Sequence, residues 1–150
     1  MVTESHHTQG DMMESVKVKD YMERHPVWLT PEMSLSVAVD TLLEARQPGA
    51  PVVDGNHKLV GFVSEQDCLS VLLKSSYHCD ITATVADCMR DEVLSVSPED
   101  SVLGLAEIML GQKPKIYPVV DEGKVVGIID RSRVLTAISG HLKSCFRNAV

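Results

Sequence analysis

The sequence predicts an α+β fold: two β-α-β-β-α repeats packed sheet-to-sheet with pseudo-two-fold symmetry. Three observations predict it. Val18, Asp20 and Met22 recur as Val85, Asp87 and Met89, and Pro31-Glu32 and Ser34 recur as Pro98-Glu99 and Ser101. Pro51-Val52-Val53-Asp54 recurs as Pro118-Val119-Val120-Asp121, and all these pairs are 67 residues apart. Beyond that aspartate the offset falls to 66, because DGNHKLVG is one residue longer than DEGKVVG. The length change falls at a turn, where insertions are best tolerated. A single unit of this kind has too few strands and helices to bury its own apolar faces, so two copies are needed for one stable body.

The elements follow in order. In the first repeat, residues 16–75, a strand Val27–Thr30 ends at Pro31. Ser34 is placed to N-cap a helix on which Leu35, Ala38, Val39, Leu42 and Leu43 fall at helical spacing and form one apolar face. Strands Pro51–Val53 and Lys58–Val63 are Val-rich and joined by turn chemistry at Asn56, and a helix Glu65–Lys74 follows. In the second repeat, residues 84–142, the same reading gives a strand Leu94–Ser97 and a helix opened by Ser101. Strands Pro118–Val120 and Lys124–Ile129 then turn at Gly123, and a helix Ser132–Leu142 follows. A polar segment 1–15 precedes the repeats, a polar linker 76–83 joins them, and a tail 143–150 ends the chain.

Composition narrows the function. Apolar residues are 44% of 150 but aromatics only 4%, so the core must be mostly aliphatic. A net charge of −7 argues against general binding to nucleic acid or anionic membrane, which need a positive field. No stretch approaches the roughly 18 apolar residues of a membrane span, and the N-terminus has no secretion-type apolar run. Cys68, Cys79, Cys88 and Cys145 form no CxxC pair and read as free thiols of a reducing cytoplasm. His6, His7, His78 and Cys79 lack ligand spacing, so no metal is expected. Neither a Cys-His nor a Ser-His-Asp constellation is evident, nor a glycine-rich phosphate loop, so no enzyme is expected.

The informative residues are the polar ends of the second hairpin strands, which open helices at the mouth of a cleft. In the first copy these are Ser64 and, one helical turn on, Asp67. A carboxylate there can accept both hydrogen bonds of a vicinal diol, as in ribose; equally, Ser64 and Asp67 can simply cap the helix. In the second copy Asp130 and Arg133 stand at these positions. Arginine has five donors and no acceptor, so it suits a phosphate, or an ion pair with Asp130 that closes the cleft.

Taken together, VKDYM and VADCM, TPEMS and SPEDS, PVVD twice, and KLVGFVSEQD with KVVGIIDRSR make the chain resemble a stand-alone tandem pair of CBS domains, over roughly Val16 to Leu142. The resemblance implies a regulatory module binding an adenosine-containing ligand (AMP, ADP, ATP or S-adenosylmethionine) between the repeats and signalling to a partner protein, with no catalytic cofactor. It implies that Ser64 and Asp67 hold ribose and part of the phosphate, that Phe62 flanks the base, and that Lys115, Ile116 and Tyr117 of the other copy line the cleft. Lys113 and Lys115 become candidate phosphate contacts or plain solvated loop residues, and Tyr117 fits equally a core aromatic. Asp130 and Arg133 depart from the family pattern, which suggests that only the first cleft kept nucleoside chemistry. Trp28 departs too, and stacking on a ligand, filling a cleft and covering a dimer interface remain open for it. The resemblance also implies a homodimer. The alternative is a ligand-free interaction module with degenerate clefts.

Overall fold

The computed structural model describes residues 15–76, 82–111 and 114–149, the last four of these by backbone alone. His6, His7, His78, Cys79, Lys113 and all of the N-terminal segment except Ser15 lie outside the described residues. Each repeat opens with a short helical piece: a 3-10 turn at Val18–Asp20 in the first and a single helical turn at Val85–Cys88 in the second. The first repeat continues with α1 (Leu35–Ala45), β1 (Gly49–Val53), β2 (Leu59–Ser64) and α2 (Glu65–Ser76). The second continues with α3 (Val102–Gly111), β3 (Ile116–Asp121), β4 (Lys124–Asp130) and α4 (Arg131–Ala149).

Local chemistry sets these boundaries. The Ser34 side chain accepts from the Val37 amide and caps α1, which ends at Arg46 in the left-handed conformation (φ 53°). Leu35, Ala38 and Leu42 are buried as the spacing predicts, but Leu43 is 61% exposed, lying beyond the edge of the buried stripe. β1 and β2 pair antiparallel, as do β3 and β4. The second hairpin turns through Glu122 (φ 52°) and Gly123 (φ 82°), the two successive positive-φ residues of a tight hairpin turn. The longer first turn is held by Asp54, whose carboxylate accepts from the amides of Asn56 (2.8 Å) and Lys58 (3.0 Å), and His57 takes the positive φ. Trp28, 47% exposed, meets this turn edge-on, its ring centroid 4.7 Å from that of His57.

Two expected strands are not strands. Val27–Thr30 and Leu94–Ser97 each reduce to a single parallel bridge, Leu29 to Val52 and Val96 to Val119. In the first case the reason is Gln47. Its buried side-chain amide accepts from the Val27 amide (3.1 Å) and donates to the Val27 carbonyl (3.0 Å), taking both groups that a ladder would use. At the other end, α4 runs past Leu142 to Ala149, because no proline and no capping glycine intervenes to stop it.

The repeats exchange their opening segments. The amides of Val18 and Lys19 donate to the carbonyls of Asp100 and Pro98, and those of Val85 and Ala86 donate to Met33 and Pro31. Shifted by the repeat offset, these are the same bonds. The apolar side chains accordingly form two clusters. One joins second-repeat residues such as Val119, Ile129 and Val134 to Val18 and Met22; the other joins first-repeat residues such as Leu42, Val52 and Val63 to Val85. The hairpins themselves meet at their turns, where Leu59 donates to the Gly123 carbonyl and Val125 to that of His57, both at 3.2 Å.

Candidate functional site

Each cleft forms where β2 or β4 ends, its motif helix begins, and the opening segment of the other repeat crosses. In the first cleft Phe62 exchanges two backbone hydrogen bonds with Arg90 (3.0 and 2.9 Å). Gly61 permits that crossing, since a Cβ there would lie 2.7 Å from the Met89 sulfur and 3.0 Å from the Arg90 carbonyl oxygen. Phe62 is half-buried, its ring against Gly49, which pairs with Ser64 across the hairpin.

Ser64 and Asp67 are brought together as expected. Asp67 Oδ2 accepts from the Ser64 amide (3.0 Å) and hydroxyl (2.8 Å), while Ser64 Oγ accepts from the Asp67 amide (3.1 Å). This reciprocal arrangement satisfies orphan donors at the start of α2. The other oxygen, Oδ1, accepts from Arg90 Nε and Nη2, both at 3.2 Å. The Asp67 side chain is 14% exposed and that of Arg90 64%. Behind them, Cys68 sits in the core, where burial pushes its thiol up to about 11.

The second cleft repeats the geometry with the charges exchanged. Arg133 occupies the place of Asp67, and Glu23, from the first repeat's opening segment, that of Arg90. Arg133 Nη2 donates to Glu23 Oε2 (2.9 Å) and Nη1 to the Tyr21 carbonyl (3.0 Å), while Asp130 accepts from the Arg133 amide (2.9 Å). Arg133 thus pairs across the repeats through its guanidinium, and Asp130 keeps the capping role. A cavity of about 420 Å³ opens here, lined by Asp20, Tyr21, Asp130, Ser132, Arg133 and Thr136.

Lys115, Ile116 and Tyr117 flank the second repeat's own hairpin end: Ile116 pairs with Asp130, and the Lys115 carbonyl accepts from the Arg131 amide (3.0 Å). Among the described residues no hydrogen bond or ion pair joins them to Ser64 or Asp67. Lys115 is exposed, and Ile116 is buried. Tyr117 is 1% exposed within a core cluster, which fits the second of its two readings, the core aromatic. Its hydroxyl has no hydrogen-bond partner among the described residues. Arg90 and Glu23 are the residues that sequence reasoning missed. A signal existed: the equivalent positions 23 and 90 carry opposite charges, and so do 67 and 133.

The family model described as the CBS domain matches residues 18–74 and 85–140. The chain belongs to the CBS-domain family. It is 31% identical to the chloroplastic CBS domain-containing protein CBSX1 of Arabidopsis thaliana over 79% of its own length and 61% of that protein. It spans 39% of the uncharacterised protein MJ1225 of Methanocaldococcus jannaschii and 15% of the A-adding tRNA nucleotidyltransferase of Aquifex aeolicus, so it matches only part of these relatives. Among solved structures, CBSX2 in complex with AMP superposes with a TM-score of 0.74 at 31% identity, covering 83% of this chain and 97% of that one. A putative acetoin utilization protein (AcuB) from Vibrio cholerae gives 0.75 at 32% identity, covering 85% of this chain and 93% of that one. The CBS pair of this chain therefore has the architecture of those modules, two small antiparallel sheets with flanking helices.

Proposed function

We propose that this CBS pair is a regulatory module that takes an adenosine-containing ligand (AMP, ADP, ATP or S-adenosylmethionine) and passes its state to a partner protein. The observation that carries the reading is the position of Asp67: its carboxylate is held at the mouth of the cleft by Ser64 and touches the other repeat through Arg90. A ligand diol competing for that carboxylate alters a contact between repeats, and a change in their packing is what a partner can read. The complex of the relative CBSX2 with AMP supports the ligand class. Phe62, Ser64 and Asp67 form the first-cleft set; Asp130 and Arg133 mark a second cleft, and Lys115 and Ile116 lie at its edge rather than at the first. The reading assigns no catalysis, no metal and no nucleic acid, and places the module in the cytoplasm.

We further propose a homodimer. Leu69 and Leu73 on α2, and Leu135 and Leu142 on α4, are between 48% and 67% exposed. Light scattering at tens of micromolar should give twice the chain mass, and a monomer at that concentration overturns the assignment. For the ligand, the protein is denatured after purification and the released small molecules weighed, and melts are run with each of the four candidates. A ligand at a hundredfold excess over its Kd stabilises by about 2.7 kcal/mol, a rise of roughly 5 °C in Tm. No released nucleotide and no shift with any candidate favours the alternative, an interaction module without ligand. That alternative rests on one observation: both oxygens of Asp67 and the guanidinium of Arg133 already have partners within the chain.

A further inference from the structure

We infer that Arg90 is a displaceable latch on the first cleft and the residue that selects ligands bearing a phosphate; this rests on the function proposed above. The two oxygens of Asp67 are engaged differently. Oδ2 closes the reciprocal cap with Ser64, which cannot be released without fraying the first turn of α2. Oδ1 carries two long contacts of 3.2 Å from one guanidinium that is mostly in solvent. With its donor side open to water and both contacts at the long end of the hydrogen-bond range, Oδ1 is the oxygen a diol can capture.

The backbone of Arg90 does not have to move when that happens. Its amide and carbonyl are both bonded to Phe62, so only the side chain swings. A displaced guanidinium carries donors and no acceptor, and its planar fork fits two phosphate oxygens. A nucleotide therefore supplies a new partner for Arg90 as its ribose takes the old one. A nucleoside without phosphate takes Asp67 and leaves Arg90 unpaired. The selection acts across the repeats, because Asp67 belongs to the first and Arg90 to the second.

The test is calorimetry on the full chain with AMP and adenosine as probes, in wild type, Arg90→Ala and Arg90→Lys. Wild type is expected to prefer AMP to adenosine by about tenfold or more, the effect of one charge-assisted contact. Arg90→Ala should lose most of that preference, with AMP weaker and adenosine unchanged or tighter, and Arg90→Lys should fall between. Binding of adenosine to Arg90→Ala but not to wild type also supports the latch, whereas AMP binding only to the variant overturns the phosphate selection. If wild type binds AMP and Arg90→Ala keeps the same AMP-to-adenosine ratio, the latch is overturned while the proposed function stands. If neither probe binds wild type or either variant, the latch falls, and the proposed function falls with it only when ADP, ATP and S-adenosylmethionine also fail to bind wild type. Circular dichroism shows whether the variants are folded, as expected for an exposed side chain.

Discussion

The backbone carbonyl oxygen of Glu23 passes 2.5 Å from where a Cβ on Gly127 would sit. Gly127 is therefore the notch through which the first repeat's opening segment crosses β4, and Gly61 does the same for Met89 and Arg90 on β2. The obstacle at Gly127 is backbone, which cannot rotate away. Gly127→Ala should destabilise by about 1–3 kcal/mol, the range for overpacking a filled site, and loosen the Glu23–Ile128 pairing. Denaturant unfolding measures the first and amide exchange at Ile128 the second. An unchanged midpoint with unchanged protection would remove the notch.

Tyr117→Phe should be neutral or stabilising by about 1 kcal/mol. The Tyr117 hydroxyl is buried without a partner among the described residues, and burial also raises its pKa. An unsatisfied buried hydroxyl costs free energy that phenylalanine does not incur. Thermal melts of the two proteins decide it. A loss of several degrees would mean that the hydroxyl has a partner, such as an ordered water.

Stability should fall on acidification partly through Asp54 and Glu99. Backbone amides of Lys58 and Asn56 hold Asp54 below the usual carboxylate range, and the Lys19 ammonium does the same for Glu99. A depressed folded pKa gives stability that is present above the unfolded value and lost as pH falls through the folded one. Melts between about pH 6 and 2 should show this decline in wild type and a shallower one in Asp54→Asn and Glu99→Gln. For Lys19, whose pKa is raised by the same pair, the contribution disappears instead on the alkaline side. Parallel curves for wild type and variants would discount both carboxylates.

Alkylation by iodoacetamide at mildly alkaline pH should label Cys145 well before Cys68. The thiolate is the reactive form, and burial pushes Cys68 to about 11 while keeping it 4% exposed. Cys145 is exposed on α4. Peptide mass mapping over time reads the order, and equal rates would contradict the burial of Cys68.

The hairpins were legible because proline, glycine and valine runs fix a strand within a residue or two, and α1 because Ser34 and a 3.6-residue stripe agree. The strand expected at Val27–Thr30 failed because a side chain, Gln47, intercepts Val27 from outside the local pattern. The pairing of Ser64 with Asp67 was readable from their spacing. The exchange of opening segments was not, since periodicity says which face of a segment is apolar but not which repeat receives it. Arg90 and Glu23 went unseen for that reason: each completes a cleft belonging to the other copy.

During synthesis the two repeats do not mature alike. The first repeat needs Val85, which leaves the ribosome soon after α2 is complete. The second needs Val18 and Met22, made before either hairpin and left without their apolar partners until β3, β4 and α4 emerge. Contacts across so long a stretch form late and slow the final step. The nascent chain thus carries an early, nearly finished half beside a strip of apolar surface that waits for β3, β4 and α4.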